Sequence, residues 1–377
     1  MIKNKKFQMI LSVILLLIFF IILYFFNVKD HYTYKNNSNL EYVKAKVLSV
    51  TEETLTEDTT ISNLYIGQQK ISVELLEGTG KGGIFEVTNN LSRLYNVKVK
   101  PGMKVIVSVD KTGTQTSPVS IYSYYRAPVS IALVFIFFAL LTLIGGRKGV
   151  KAILGLCFTL ICIIFLFLPM IIKGYSPILS AILVVILTTF MTFVLSNGYT
   201  IKTLSAILGT IFGVTFAGII AYLAGNLANL STLNTDEIET LILISSDTSM
   251  NVKGILFAGI IIASLGAVMD IGISISSAIN ELHTINPKLT HKSLFMSGMN
   301  IGKDIIGTMS NTLILAFTGG SINLLILLYS FGMPSSQLFN LDVLSIEIVQ
   351  GLAGCIGVIL TVPITAILTT FLMDKAK

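Results

Sequence analysis

Several chemical groups are scarce in this chain. Its 377 residues include no tryptophan, three histidines and three cysteines, and only 12% are charged. Cys157, Cys162 and Cys355 all lie in apolar segments, so the polar part of the chain has no disulfide framework. Their spacing and the scattered histidines do not match a metal-ligand pattern, and neither a metal nor another cofactor is expected.

The low charge also excludes an ordinary soluble protein. About a quarter of the residues in a typical soluble domain are charged. Here 53% are hydrophobic and the mean hydropathy is +0.82, which predicts an integral membrane protein. No tract rich in lysine or arginine is present, so nucleic acid is not an expected partner. Gly298 to Asp304 lacks the spacing of a phosphate loop, and no catalytic residues are predicted, so the chain is not expected to be an enzyme.

Eight apolar runs are near or above the roughly 20 residues that cross a bilayer. The first, residues 7–26, is too long for the core of a cleaved signal, and we interpret residues 1–27 as an uncleaved signal anchor. Lysine and arginine collect in alternate connections, which predicts that both termini are cytoplasmic and that residues 28–127 are extracytoplasmic. The seven later runs, within a membrane domain of residues 128–377, are 128–145, 150–172, 177–196, 203–225, 253–280, 303–333 and 346–373.

Residues 28–127 differ in kind from the rest. Apolar and polar residues alternate around Val43, Ala45 and Val47 and again in Lys104 to Val109, and glycines punctuate the region. This pattern predicts a small all-β domain, OB-like or a related barrel, inserted between the first and second helices. The predicted fold class is therefore an α-helical polytopic membrane protein of about eight transmembrane helices with one extracytoplasmic β domain.

Two of the apolar runs carry polar stripes. A charge inside hydrocarbon costs several kcal/mol unless it is paired or lines a wet cavity, so such residues suggest function. At 3.6 residues per turn, the members of each stripe share one helix face. The stripe in residues 253–280 holds Asp270, Ser274 and Ser277, and the stripe of the next long helix, over residues 300–311, holds Asn300, Lys303, Asp304, Thr308 and Asn311.

A short cytoplasmic loop joins these two runs, so they should pack antiparallel. We expect the stripes to face each other as a polar seam, with an ion pair between Asp270 and Lys303 at similar depth. The alternative is structural, since hydroxyl and amide side chains in membrane helices often only join neighbouring helices. Gly209 and Gly213 form a GxxxG motif, and Gly351, Gly354 and Gly357 form a second small-residue row, both typical of close helix packing.

The segments Gly266 to Glu281 and Ser297 to Asn311 closely resemble the signature of the YibE/F-like family of bacterial multi-spanning membrane proteins. The resemblance covers residues 128–373, and residues 28–127 look like the amino-terminal β domain of the longer members. It implies a location in the cytoplasmic membrane and a permease-like role. It brings no binding or catalytic residues to this chain.

Two functions remain open at this point. The first is transport of a small solute or ion along the polar seam, with Asp270 and Asp304 as proton or cation sites and Lys303 as their counter-ion. The second is an envelope scaffold or sensor whose β domain binds a partner or wall component. The expected partners are the lipid bilayer, an unidentified small solute or ion, and either a companion membrane protein of the same family or a second copy of the chain.

Overall fold

The computed structural model describes residues 40–374 except 79, 111–118, 231–240, 243, 246, 247 and 253, together with residues 19, 21, 23, 24, 26 and 27. The chain divides into two compact units, residues 35–140 and residues 1–34 with 141–377. Most of the predicted signal anchor lies outside the described residues. Within its described part, Phe19 approaches Phe158 with 4.7 Å between ring centres, and the Asn27 amide donates a hydrogen bond of 2.8 Å to the Phe165 carbonyl.

The first unit contains a five-stranded antiparallel sheet in the order β3-β2-β1-β4-β5. β1 pairs with both β2 and β4, and register shifts after Val47 and after Val50 let this long strand bend. The edge strands β3 and β5 contact each other, so the sheet curls into a half-barrel and the predicted all-β region is confirmed. The strands are β1 Leu40–Glu57, β2 Tyr65–Leu75, β3 Ile84–Leu91, β4 Lys104–Asp110 and β5 Val119–Tyr124.

Alternation of apolar and polar residues gives this sheet its interior. Val43, Ala45 and Val47 of β1 point to one face and are buried against Val105 and Val107 of β4. Successive side chains of a strand point to opposite faces, so the intervening residues are left at the surface. The same hydrophobic pattern that predicts strands therefore also defines the core of the half-barrel.

A buried amide joins the segment before β4 to the sheet. The fully buried Gln69 side chain donates hydrogen bonds to Glu53 and to the Val99 carbonyl, at 2.9 and 3.1 Å. Its oxygen accepts from the Val99 amide and from Asn89, both at 3.1 Å. Asn89 in turn donates to the Val97 carbonyl at 2.8 Å. Because every bond of the Gln69 amide is made inside the unit, the residue fixes residues 97–99 against β2 and β3.

An ion pair holds two loops together at one end of the same unit. Arg93 Nε donates to the buried Asp58 carboxylate at 2.6 Å. The hydrogen bond from Arg93, aided by the backbone amides of Thr60 and Ile61, holds the pKa of Asp58 at about 2. The loop between β1 and β2 and the loop after β3 are thereby fixed next to each other.

The rest of the described chain is helical. By length and composition, five helices within this described part could cross a membrane, or six if α6 and α7 form one bent span. The apolar helices agree with the prediction of a polytopic membrane protein. The helices are α1 Ala127–Cys162, α2 Leu168–Ile172, α3 Pro177–Asn197, α4 Ile201–Leu227, α5 Ile255–Ile285, α6 His291–Gly320, α7 Ile322–Ser330, α8 Ser335–Leu338 and α9 Asp342–Asp374, with a π-helical turn Ile163–Phe167 between α1 and α2.

α1 is broken near its middle. Gly146 has φ 53° and ψ −133°, which is not helical. A Cβ atom added at Gly149 would overlap the Leu141 carbonyl, although these residues would be far apart on a straight helix. The chain therefore reverses at Gly146, one residue before the connection predicted at Arg147 to Lys151.

The run predicted as one span at 303–333 is not one continuous helix. α6 begins at His291 and ends at Gly320, and α7 leaves at a bend of 64°. Glycines are poor helix formers because they lose the most backbone freedom on ordering. Gly319 and Gly320 come directly before the bend at Ser321, which gives this difference a local cause.

Close helix packing occurs where the small-residue rows predict it. A Cβ atom added at Gly209 or Gly213 of α4 would overlap the hydroxyl of Thr365 or Thr361 of α9. At Gly357, an added Cβ would lie 2.7 Å from Ala217. Glycine therefore lets α4 and α9 approach closely, and this pair is a central contact of the helical unit.

We expect Gln69→Leu to destabilise the β unit. The substitution leaves the amide and carbonyl of the buried Val99 without their Gln69 partners, at a cost of about 1–3 kcal/mol for each unsatisfied group. Hydrogen exchange of the strand amides in the full chain measures the loss as faster exchange in β2 and β3. Gln68→Leu is the matched control, because the Gln68 side chain is exposed on the same strand. Equal protection in the two variants would contradict this role for Gln69.

Candidate functional site

Contacts with α4 decide which face of α5 packs into the helical unit. A Cβ atom added at Gly272 would lie 2.6 Å from the Thr210 hydroxyl, and Ile261 fills the space beside Gly218. Val268 packs beside Gly213 in the same way. These contacts turn one face of α5, which includes Ile261, Val268 and Gly272, into the helical unit.

Asp270, Ser274 and Ser277 lie on the opposite face of α5. At 3.6 residues per turn, Asp270 is about 160° from Val268 and about 180° from Ile261. Asp270 is exposed, and Ser274 and Ser277 are half-buried. The residues of the predicted polar stripe therefore share one face of α5, and this face points away from the packed side of the helix.

Contacts with α5 and α9 likewise decide which face of α6 packs into the helical unit and which face points outward. Gly298 accepts the Ile279 side chain, and a Cβ atom added at Gly302 would overlap Val362 of α9. On the helix, Asp304 is about 160° from Gly302, and Asn311 is about 180° from it. The five stripe residues of α6 are all exposed, namely Asn300, Lys303, Asp304, Thr308 and Asn311.

The predicted face-to-face seam is wrong for a single chain. No ion pair or hydrogen bond joins Asp270 to Lys303 within the described residues, because each lies outside the packing face of its helix. The packing is carried by glycine contacts on the other faces of α5 and α6. The periodicity of polar residues identifies the stripes, whereas the glycine contacts determine the direction in which each stripe points.

The two aspartates nevertheless lie at nearly the same depth. Ser264 of α5 and Leu313 of α6 both contact Gly354 of α9, which marks a common level. With a rise of about 1.5 Å per residue, Asp270 lies about 9 Å from that level and Asp304 about 13.5 Å from it in the same direction. The carboxylates are thus within about one helical turn of each other along the bundle, on the outward side of adjacent helices.

A second polar feature was not singled out from the sequence. Buried hydroxyl side chains line the contacts of α4: Thr361 and Thr365 lie between α4 and α9, and Thr210 lies between α4 and α5. The Thr361 hydroxyl donates to the Gly357 carbonyl at 2.6 Å, four residues earlier in its own helix. These residues pack against glycines, so they act in helix packing. Their contacts with Gly209, Gly213 and Gly272 join different helices, so only the tertiary structure reveals them.

Glu347 lines a cavity beside the bend between α6 and α7. The cavity has a volume of about 300 Å³, and its walls are largely apolar. Ser321, at the bend, also faces it. Nothing in the sequence connects Glu347 with this bend, because the two are separated by α7 and α8 along the chain.

Within the described residues, no group of three or more histidine, cysteine, aspartate or glutamate side chains is arranged to hold a metal ion. All three cysteines are free thiols, and Cys162 and Cys355 are buried.

Two family models match the chain. The model of YibE/F-like proteins matches residues 133–375, and the model of the YibE/F family N-terminal domain matches residues 38–124. The first covers the helical region with both polar stripes, and the second covers the half-barrel sheet. No curated protein and no solved structure is significantly similar to the chain.

We expect Gly302→Val to destabilise the helical unit. Even the first added carbon would overlap Val362, and overpacking of this kind costs about 1–3 kcal/mol. The melting temperature of the purified full chain in detergent should fall. Gly319→Val is the control on the same helix, because a Cβ atom there meets no atom within 4 Å. Equal melting temperatures for the two variants would show that α6 does not pack on α9 through Gly302.

Proposed function

The chain belongs to the YibE/F-like family, and we propose that it is a permease-like membrane protein that moves a small solute or ion along the polar faces of α5 and α6. The observation that supports this proposal is the presence of Asp270 and Asp304 at similar depth on adjacent apolar helices. Intramembrane carboxylates are expensive and commonly mark ion or substrate pathways.

The proposed topology has eight spans with both termini in the cytoplasm. The chain reversal at Gly146 supports counting the segment from Ala127 to Ile172 as two of them. Lys148 and Lys151 then lie on the cytoplasmic side, as do Lys288 and Lys292 between α5 and α6, in agreement with the positive-inside rule. The half-barrel sheet, within residues 28–127, is extracytoplasmic in this arrangement and precedes seven of the spans.

Each charged residue of the stripes has a proposed role. Asp270 and Asp304 are the proton or cation sites, and Lys303 is their counter-ion. Ser274, Ser277, Asn300, Thr308 and Asn311 supply hydroxyl and amide groups that can replace the water around a moving solute. Carriers use such groups near the middle of the membrane, where little else can solvate an ion.

We expect Asp304→Asn and Asp270→Asn each to reduce solute-coupled ion flux to the background of empty vesicles. Asparagine keeps the shape of the side chain and removes its charge, so a cation or proton loses its binding group. The measurement uses the purified full chain in vesicles with dyes sensitive to pH, sodium and potassium under imposed gradients.

Glu281→Gln is the matched control for that experiment. Glu281 continues the α5 stripe but lies near the predicted cytoplasmic end, where water solvates it, and it is exposed. Flux should therefore survive its substitution. Wild-type flux in both asparagine variants would rule out transport through these sites.

The alternative function is a scaffold or sensor in which the β unit binds a partner or wall component. It is favoured by an exposed apolar group on the loops that the Asp58–Arg93 ion pair holds together. Ile61, Leu94 and Tyr95 have 48%, 88% and 74% of their surfaces exposed. Rigid loops that present apolar side chains are typical of binding surfaces.

The two functions predict opposite outcomes in cells. If the β unit carries the function, the double variant Leu94→Asp with Tyr95→Asp should lose complementation of a deletion strain, while Asp270→Asn and Asp304→Asn should keep it. Ile84→Asp is the control, because Ile84 is 63% exposed on β3. Full complementation by the double loop variant would reject the scaffold or sensor function.

A further inference from the structure

Three glycines of α5 and α6 have no packing role among the residues that the structure describes. A Cβ atom added at Gly259, Gly266 or Gly307 would meet no atom within 4 Å. Gly272, Gly298 and Gly302 on the same two helices each receive a neighbouring side chain, as described above. Gly319 and Gly320 also lack contacts, but they end α6 at its bend. The three others lie inside regular helix, where glycine is unfavourable relative to alanine.

These glycines lie on the same outward faces as the charged residues. Gly259 and Gly266 are seven residues apart, and Asp270 follows Gly266 by four, so the three lie along one side of α5. Gly307 lies between Asp304 and Asn311 on α6. The outward surface of the two helices, which we call the α5–α6 face, therefore combines close-approach positions with charges that have no partner among the described residues.

We propose that a second copy of this chain covers the α5–α6 face, with Asp270 of each copy paired to Lys303 of the other. Small residues let helix backbones approach closely in a bilayer, and unpaired intramembrane charges strongly favour a partner of opposite sign. The inference takes from the proposed function only that α5 and α6 cross a membrane. It does not depend on transport.

The depths of the residues fit this pairing. Relative to the common level at Ser264 and Leu313, Asp270 is level with Gly307, and Lys303 is about one helical turn, near 6 Å, further along. A two-fold axis along the bilayer normal preserves depth, so the same offset applies between copies. The long lysine side chain can span one turn, and Gly307 leaves room for the approach of Asp270.

A second copy is favoured because the face is complementary to itself. A two-fold interface brings the same surface patch of both chains together, so each patch must carry groups that satisfy one another. The α5–α6 face carries both an acid and a base at compatible depths, and the two-fold arrangement satisfies both pairs at once. Asp304 of each copy is then left inside the interface without a basic partner.

Charge inversion tests the pairing. Asp270→Lys and Lys303→Asp should each shift the purified full chain from dimer to monomer, and the double variant should restore the dimer. Native mass spectrometry in detergent and light scattering of the protein–detergent complex report the mass. A monomeric wild type, or a double variant that stays monomeric while folded, would overturn the proposal.

Steric variants test the close approach without altering charge. Gly266→Leu and Gly307→Leu should each produce a folded monomer, because a Cβ atom at either position meets no described atom of its own chain within 4 Å. Gly319→Leu should leave the dimer intact. Dimers that persist in both of the first two variants would overturn the proposed interface.

Crosslinking between differently tagged copies tests the register. Gly266 and Asn311 are at the same depth by the level defined above, so Gly266→Cys in one copy should form a disulfide with Asn311→Cys in the other. Cys157, Cys162 and Cys355 are first replaced by alanine. A face found crosslinked to a different membrane protein, with no link between copies, would contradict the inference. Loss of flux in a variant that remains dimeric would instead concern only the proposed transport.

Discussion

The structure of the helical unit depends on glycine contacts that fix the rotation of each helix. Gly209 and Gly213 receive threonine side chains of α9, and Gly302 receives Val362 of the same helix. Without side chains at these positions, the backbones approach closely, and dispersion forces supply the contact that the hydrophobic effect cannot supply between helices in lipid. The polar stripes are a consequence, because they occupy the faces that these contacts leave outside.

The sequence predicted the β region and several of the apolar helices, but it did not predict how the helices are rotated. Hydropathy gave α3 as residues 177–196, against the observed Pro177–Asn197, and strand alternation gave the β unit. Both are local patterns with a fixed period. The direction of Asp270 depends on whether Gly272 packs on Thr210, which is a contact between residues far apart in the chain. Polar periodicity alone cannot distinguish an inward stripe from an outward one.

The bend at Ser321 was missed for a related reason. The run through Gly319 and Gly320 is apolar enough to continue a span, and hydropathy does not register the weak helix propensity of two adjacent glycines. The bend places Ser321 and Glu347 of α9 on the wall of one cavity, and this arrangement has no signal in the order of residues along the chain.

Because the polar faces of α5 and α6 point outward, a transport path along them cannot be enclosed by these two helices alone. A seam enclosed by α5 and α6 of one chain would need both stripes to turn inward, and the glycine contacts forbid that rotation. A path that uses Asp270 and Asp304 therefore needs a wall from outside the chain, and lipid tails cannot solvate a carboxylate. The second copy of the proposed interface would supply this wall for the proposed transport path. The helices that carry the charges are packed on their inner faces, so in the proposed dimer a movement that exposes Asp304 to either side of the membrane would occur at the outer face that the second copy covers.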